Sequence, residues 1–221
     1  MISQPASNGA QGGAWDLLVR LAAADGSASH PHLQRLTQGG PAQRNLSDAV
    51  HAICAVHGDH PGMVEEAQNR DAQPEAHHWL VAVSQGFAVE RSYLAQLLAA
   101  VGPLPSTPGQ SETASALIAE RHTLEMLARS DRAGCATGAV GALLQDWTQI
   151  RRVLDTAAMR FGVDVWRSAL PPETEIAEAI AAFGDTPARE RAIAFGAQQL
   201  FAQHRGLWSL LEARASARGD L

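Results

Sequence analysis

The sequence predicts an all-α protein built on four long antiparallel helices. Three observations carry this reading. Apolar residues recur with the helical period of about 3.6 residues over four long stretches, Pro74–Val101, Gln110–Ser130, Gly134–Phe161 and Pro187 to about Ala215. Alanine is abundant and β-branched runs are absent, which favours helix over sheet. Short breaks separate the first three stretches, so those neighbours must run antiparallel.

Taken in order, residues 1–13 are rich in Gly, Ser, Gln and Asn and are expected to be disordered. Ala14–Ala24 forms a short helix, with Leu17, Leu18, Leu21 and Ala24 on one face. Asp25–Asn45 holds several Gly, Pro and His residues and reads as a loop. Ser47–Val56 is a second short helix, with Ser47 as its N-cap and Gly58 as its stop. His57–Gly62 (HGDHPG) is a turn, and Met63–Asn69 is a further helical piece. Residues 14–73 thus form an annex of short helices beside a bundle of residues 74–215.

The long elements follow. Pro74–Val101 ends at Gly102–Gly109 (GPLPSTPG), whose three prolines make a rigid break. Gln110–Ser130 and Gly134–Phe161 are joined by Asp131–Ala133. After a connection at 162–172, Pro171 and Pro172 open a small helix, Glu173–Phe183, which Gly184 ends. Thr186 caps the last long helix, with Pro187 at its first position. Residues 216–221 are a frayed tail. The chain is one helical domain.

Composition excludes several kinds of chemistry. All 17 basic residues are arginine, so Schiff-base catalysis and a phosphate-loop lysine are ruled out. The net charge is −6 and no basic stripe stands out, so nucleic acid is not an expected partner. Two cysteines, Cys54 and Cys135, are too few for a disulfide scaffold. The first residues lack the charged and apolar regions of a signal peptide, and no apolar run reaches the ~18 residues of a membrane span. A soluble, cytoplasmic protein without a membrane partner is expected. A second copy or another protein could dock on its helical faces.

Each long helix carries one ionisable residue within its apolar arc. Glu90 lies among Val83, Gly86, Phe87, Leu94 and Leu97, and Glu120 among Leu117, Leu124 and Ala128. Asp146 borders the arc of Leu143, Ile150, Val153 and Leu154, and His204 that of Leu200, Phe201, Leu207 and Trp208. Their distances from the turns agree within one or two residues, or ~2–3 Å at the helical rise of about 1.5 Å. Glu90, Glu120, Asp146 and His204 therefore share one layer. Three carboxylates and an imidazole suit iron, manganese or zinc. The alternative is a structural polar network, with Arg121, Arg151 and Arg205 neutralising the acids and fixing helix register.

A four-helix bundle with one inward acid or histidine per helix resembles the ferritin-like di-metal carboxylate proteins, in which two helices supply Glu and two supply Glu-x-x-His. That resemblance implies a metal site and oxidoreductase chemistry. The sequence departs from the motif: Thr123 stands three residues after Glu120, and Phe201 three before His204. The long crossover between the second and third helices is also missing. Around HGDHPG and GPLPSTPGQ, the chain resembles an uncharacterised bacterial helical family of unknown function, which implies no mechanism.

Other residues offer weaker sites. His51, His57, His60, His77 and His78 cluster in sequence and could hold surface zinc or be solvated loop residues. His122 and Glu125 are spaced as a surface hydrogen-bonded pair or, if the helix turns, as ligands. Cys135 sits at a helix start, where a thiol pKa can fall. Gly86, Gly138, Gly141 and Gly196 lie within helices at about 1 kcal/mol each relative to alanine, which close helix approach or room for a ligand would explain. Arg218-Gly219-Asp220 matches an adhesion tripeptide by chance. Three functions follow: a metal-binding bundle, an interaction protein with a structural polar core, or a small-ligand binder with a pocket between helices.

Overall fold

The computed structural model describes residues 13–38, 40–104 and 109–220. Most of the segment expected to be disordered, the Pro105–Pro108 part of the proline break, and Leu221 lie outside these residues. The described residues form nine α-helices and two short 3₁₀ turns, with no strand. The helices are α1 (Ala14–Asp25), α2 (Pro31–Thr37), α3 (Gln43–His57), α4 (Met63–Arg70), α5 (His77–Val101), α6 (Gln110–Ala128), α7 (Cys135–Phe161), α8 (Glu173–Phe183) and α9 (Pro187–Ala217).

The all-α class follows the sequence, and so do the ends of most elements. The Thr186 hydroxyl accepts from the Arg189 amide (3.3 Å) and Pro187 opens α9. Gly162 adopts a left-handed conformation (φ 73°) that closes α7. Two expectations need correction. The loop expected at Asp25–Asn45 contains α2, whose N-cap is His30: its Nδ1 accepts from the His32 amide at 3.2 Å, and Pro31 follows. A histidine cap is not the usual signal, so the helix start was not recognised. Ser47 does not cap α3, which begins a turn earlier at Gln43.

α7 and α9 form the most extensive helix pair. Gly138 and Gly196 explain it. A Cβ on Gly138 would run into the Ile193 backbone, and one on Gly196 into the Cys135 carbonyl. Two further helical glycines make close approaches. A Cβ on Gly86 would lie 2.6 Å from the Ala169 carbonyl oxygen, and one on Gly141 2.6 Å from the Ile180 side chain. The helix interruptions therefore serve close packing.

The short helices share in the core. α1 packs on α9, and α3 contacts α5, α6, α7 and α9. Leu18, Leu46, Ile53, Leu94, Leu143, Trp147, Phe201 and Trp208 are among the buried residues of one continuous cluster.

Candidate functional site

The four inward residues are all buried: Glu90 is 0%, Glu120 9%, Asp146 3% and His204 1% exposed. They do not converge on one point. Their hydrogen bonds place Glu90 in one group and Asp146 with His204 in another, with Glu120 in neither.

In the first group, Glu90 on α5 accepts three hydrogen bonds. Trp147 Nε1 donates at 3.0 Å, Arg151 Nη1 at 2.7 Å and Ser168 Oγ at 2.7 Å. Arg151 also donates through Nε to Asp155 (2.8 Å) and through Nη2 to the Trp166 carbonyl, and its guanidinium lies 4.1 Å from the centre of the Tyr93 ring. Tyr93 in turn donates to Asp155 (2.9 Å). One arginine thereby joins α5, α7 and the 162–172 connection. This is the neutralising role expected for Arg151. Arg121 and Arg205 instead turn outward, to Asp59 and Glu125 and to Asp25 and the Ala24 carbonyl.

In the second group, His204 Nδ1 and Asp146 Oδ2 are 2.6 Å apart. Asp146 also accepts from the Ser27 amide (2.8 Å) and the Ser27 hydroxyl, and that hydroxyl accepts from Trp208 Nε1 (2.7 Å). His204 Nε2 faces His57 Nε2 at 3.1 Å. The Nδ1–H of His204 donates to Asp146, and the two facing Nε2 atoms share one hydrogen bond. Burial, and then the neighbouring His204, hold His57 well below the ordinary histidine pKa, so it is neutral. Its ring packs edge-on against Trp147, at 5.5 Å between centroids. The Glu90 group and the His57–His204 pair thus both contact one indole, Trp147.

Glu120 stands apart in its hydrogen bonding. Among the described residues its Oε1 is buried without a partner. Burial pushes its carboxyl up to about 7, against a lowering influence from His204. A cavity of about 10 Å³ beside His57, rimmed by Asp59, Gly62, Arg121 and Glu125, is of the size one water fills. Among the described residues, no three His, Cys, Asp or Glu side chains are placed to hold a metal ion as they stand.

The sequence reading missed His57 and Ser27 as core residues; Trp208, expected in the apolar arc of the last helix, is buried there as expected and also donates to Ser27. A signal was present for His57, since Val50, Ile53 and His57 have i, i+3, i+7 spacing and α3 extends to His57. A second buried pair was also missed. Glu65 accepts from Arg91 Nη2 (2.7 Å) and Nη1 (3.2 Å), from Ser84 Oγ (2.8 Å) and from the Gly62 amide (2.9 Å). It ties the turn before α4 to α5. The sequence cluster of histidines does not assemble: His51 Nε2 pairs with the Gly102 carbonyl (2.8 Å), His77 pairs with Asp71, and His60 is exposed. His122 is exposed and Glu125 pairs with Arg121. Cys54 and Cys135 are both free thiols, and burial raises the Cys54 pKa.

The chain belongs to a family of unknown function, DUF6975, which matches residues 22–219. This agrees with the uncharacterised helical family suggested by the sequence, and it brings no ferritin-like relationship with it. No curated protein and no solved structure matches the chain.

Proposed function

We propose that the protein binds one divalent transition-metal ion in its helical core, through His57 Nε2, His204 Nε2 and the Glu120 carboxylate, with Asp146 orienting His204 from behind. The observation that carries this reading is the meeting of two imidazole Nε2 atoms, 3.1 Å apart, in a core where the buried Glu120 Oε1 has no partner among the described residues. Two nitrogens bound to one tetrahedral ion at about 2.0–2.1 Å lie roughly 3.3 Å apart, close to this spacing. A carboxylate on the far nitrogen of a histidine ligand is the usual support of such sites. Glu120 would supply the negative charge that a divalent ion requires.

Binding asks for two local changes. The proton shared by the two Nε2 atoms leaves, so that both nitrogens can ligate, and Glu120 turns toward the two rings. Imidazole and carboxylate donors suit iron, manganese or zinc. Glu90 lies outside this set, because Arg151 neutralises it. No described helix is long and apolar enough to cross a membrane.

Elemental analysis of the untagged protein, before and after reconstitution with Fe(II), Mn(II) or Zn(II), tests the reading. We expect one equivalent of metal, lost in His57→Ala and Glu120→Ala and retained in Glu90→Gln. Asp146→Asn should weaken affinity by about 10–100-fold. A wild-type protein that stays metal-free after reconstitution overturns the proposal and leaves the layer as a structural polar network.

A further inference from the structure

The end of α7 and the connection after it bring exposed apolar and basic side chains together. The chain runs from Val163 to Ala169 without helix, turn or bend, and residues 164–169 are all exposed. Met159 is 70%, Val165 49% and Trp166 36% exposed. Trp166 is the one exposed tryptophan among the described residues. Its ring stacks on Tyr93, at 5.9 Å between centroids, and its carbonyl accepts from Arg151. These contacts fix the strap that presents Val165 and Trp166.

Cations lie among the apolar groups. Helical spacing puts Arg152, Met159 and Arg160 on one outward face of α7, at i, i+7 and i+8. Arg167 follows Trp166 on the connection. Among the described residues, Arg152, Arg160 and Arg167 pair with no acid, and Arg152 donates to the Gln149 side chain at 3.2 Å. Arg151 differs, being taken up by Glu90 and Asp155. Asp164 is the one acid between Met159 and Arg167, and it is exposed. Three free guanidinium groups against one free carboxylate leave two positive charges in excess, on a chain of net charge −6. Acids farther away than the Debye length of about 8 Å are screened.

The occupant must be anionic and must receive protruding apolar groups. The cavities of about 210–500 Å³ lie elsewhere, and Met159, Val165 and Trp166 line none of them. A peptide side chain therefore finds no socket here. A lipid bilayer instead takes such groups into itself: indole rings settle at the head-group level, and arginines reach the phosphates while their stems cover apolar surface. We propose that the face formed by residues 152–167 docks on an anionic phospholipid bilayer. The contact is with the membrane surface, and it does not depend on the His57–His204 site.

Sedimentation of the full chain with vesicles tests the proposal, comparing phosphatidylcholine alone with an equal mixture of phosphatidylcholine and phosphatidylglycerol. We expect binding to the anionic vesicles to be about tenfold or more tighter, and to be lost at high salt. Tryptophan emission should shift to the blue on binding, and Trp166→Phe should remove the shift. Arg160→Gln and Arg167→Gln should each weaken binding about fivefold, and Asp164→Asn should strengthen it by a similar factor. Met159→Ser, at a position where the side chain makes little contact with the fold, should weaken it about threefold or more. Arg191→Gln removes an exposed arginine near the other end of α7, where Ile193 meets Gly138, and should change nothing. No binding to either vesicle, equal binding to both, an equal loss in Arg191→Gln, or a blue shift that persists in Trp166→Phe overturns the proposal. Binding of polyglutamate without binding of anionic vesicles overturns it in favour of an acidic protein partner.

Discussion

Replacing Arg151 by methionine tests the Glu90 half of the polar layer. The Glu90 side chain is fully buried, and Arg151 is the one cation among its three hydrogen-bond donors. Met fills much of the same volume and removes the charge, leaving a buried carboxylate held only by Trp147 and Ser168. Removing one partner of a buried ion pair costs about 3–5 kcal/mol. The Asp155 and Trp166 contacts of Arg151 are lost as well, which places the expected loss toward the upper end. Domains of this kind have roughly 5–15 kcal/mol in total, so the variant folds but is fragile. Glu90→Gln, which keeps the shape and a hydrogen-bonding oxygen, provides the second arm. The double variant should be about 2–3 kcal/mol more stable than the two single losses added together. Urea unfolding followed by circular dichroism measures all four proteins. A loss below about 1 kcal/mol for Arg151→Met, as at an exposed pair, or strict additivity of the single changes, would refute the reasoning.

Titration should distinguish two other buried acids by sign. Glu120 has its carboxyl raised from 4.5 to about 7 in the fold, so the metal-free protein holds that proton more tightly than the unfolded chain does. Its contribution is full below 4.5 and is lost as pH rises through about 7, amounting to about 3 kcal/mol. Glu120→Gln should flatten that decline in urea unfolding between pH 5 and 8, and an unchanged slope counts against the assignment. Glu65 behaves oppositely. Despite burial, its hydrogen bonds from Arg91, Gly62 and Ser84 hold it below 4.5, so its contribution is present above 4.5 and disappears on acidification. Glu65→Gln should reduce the acid-side loss of stability. On α7 and α9, Gly138→Ala and Gly196→Ala should each lower stability by about 1–3 kcal/mol or more through overpacking. Gly206→Ala, also on α9 but with nothing within 4 Å of its Cβ position, should raise it by about 0.5–1 kcal/mol. A loss in Gly206→Ala equal to the other two would show that the close α7–α9 approach is not the cause.

The inward ionisable residues were legible because long helices give periodicity many turns in which to declare itself. Glu90, Glu120, Asp146 and His204 are all buried where their apolar arcs place them. How these side chains pair was not legible, since partners come from segments far away in sequence. Ser27 reaches Asp146 across 119 residues, and His57 reaches His204 across 147. α2 was hidden for a different reason. Its cap is a histidine, and its seven residues offer less than two full turns of pattern. The short N-terminal helices were read as an annex because their amphipathic faces are brief, whereas α3 supplies His57 to the centre of the core.

The two glutamates of the polar layer meet opposite environments, and that asymmetry is what a cation would resolve. Glu90 and Glu120 lie on successive long helices, and both are buried. Glu90 receives a guanidinium, an indole and a hydroxyl. Glu120 has one oxygen with no donor among the described residues, and Arg121, the residue beside it, turns outward to Asp59 and Glu125. A structural network would be expected to satisfy both acids alike, because a buried polar atom without a partner costs about 1–3 kcal/mol. Replacement of Glu120 by an apolar side chain would remove that cost, yet the chain keeps a carboxyl there, within electrostatic reach of His204, whose Nε2 faces that of His57. Such an arrangement suits a charge that arrives from outside the chain. A proton supplies it below about pH 7, and a divalent ion held by His57 and His204 would supply it at any pH where the imidazoles stay neutral.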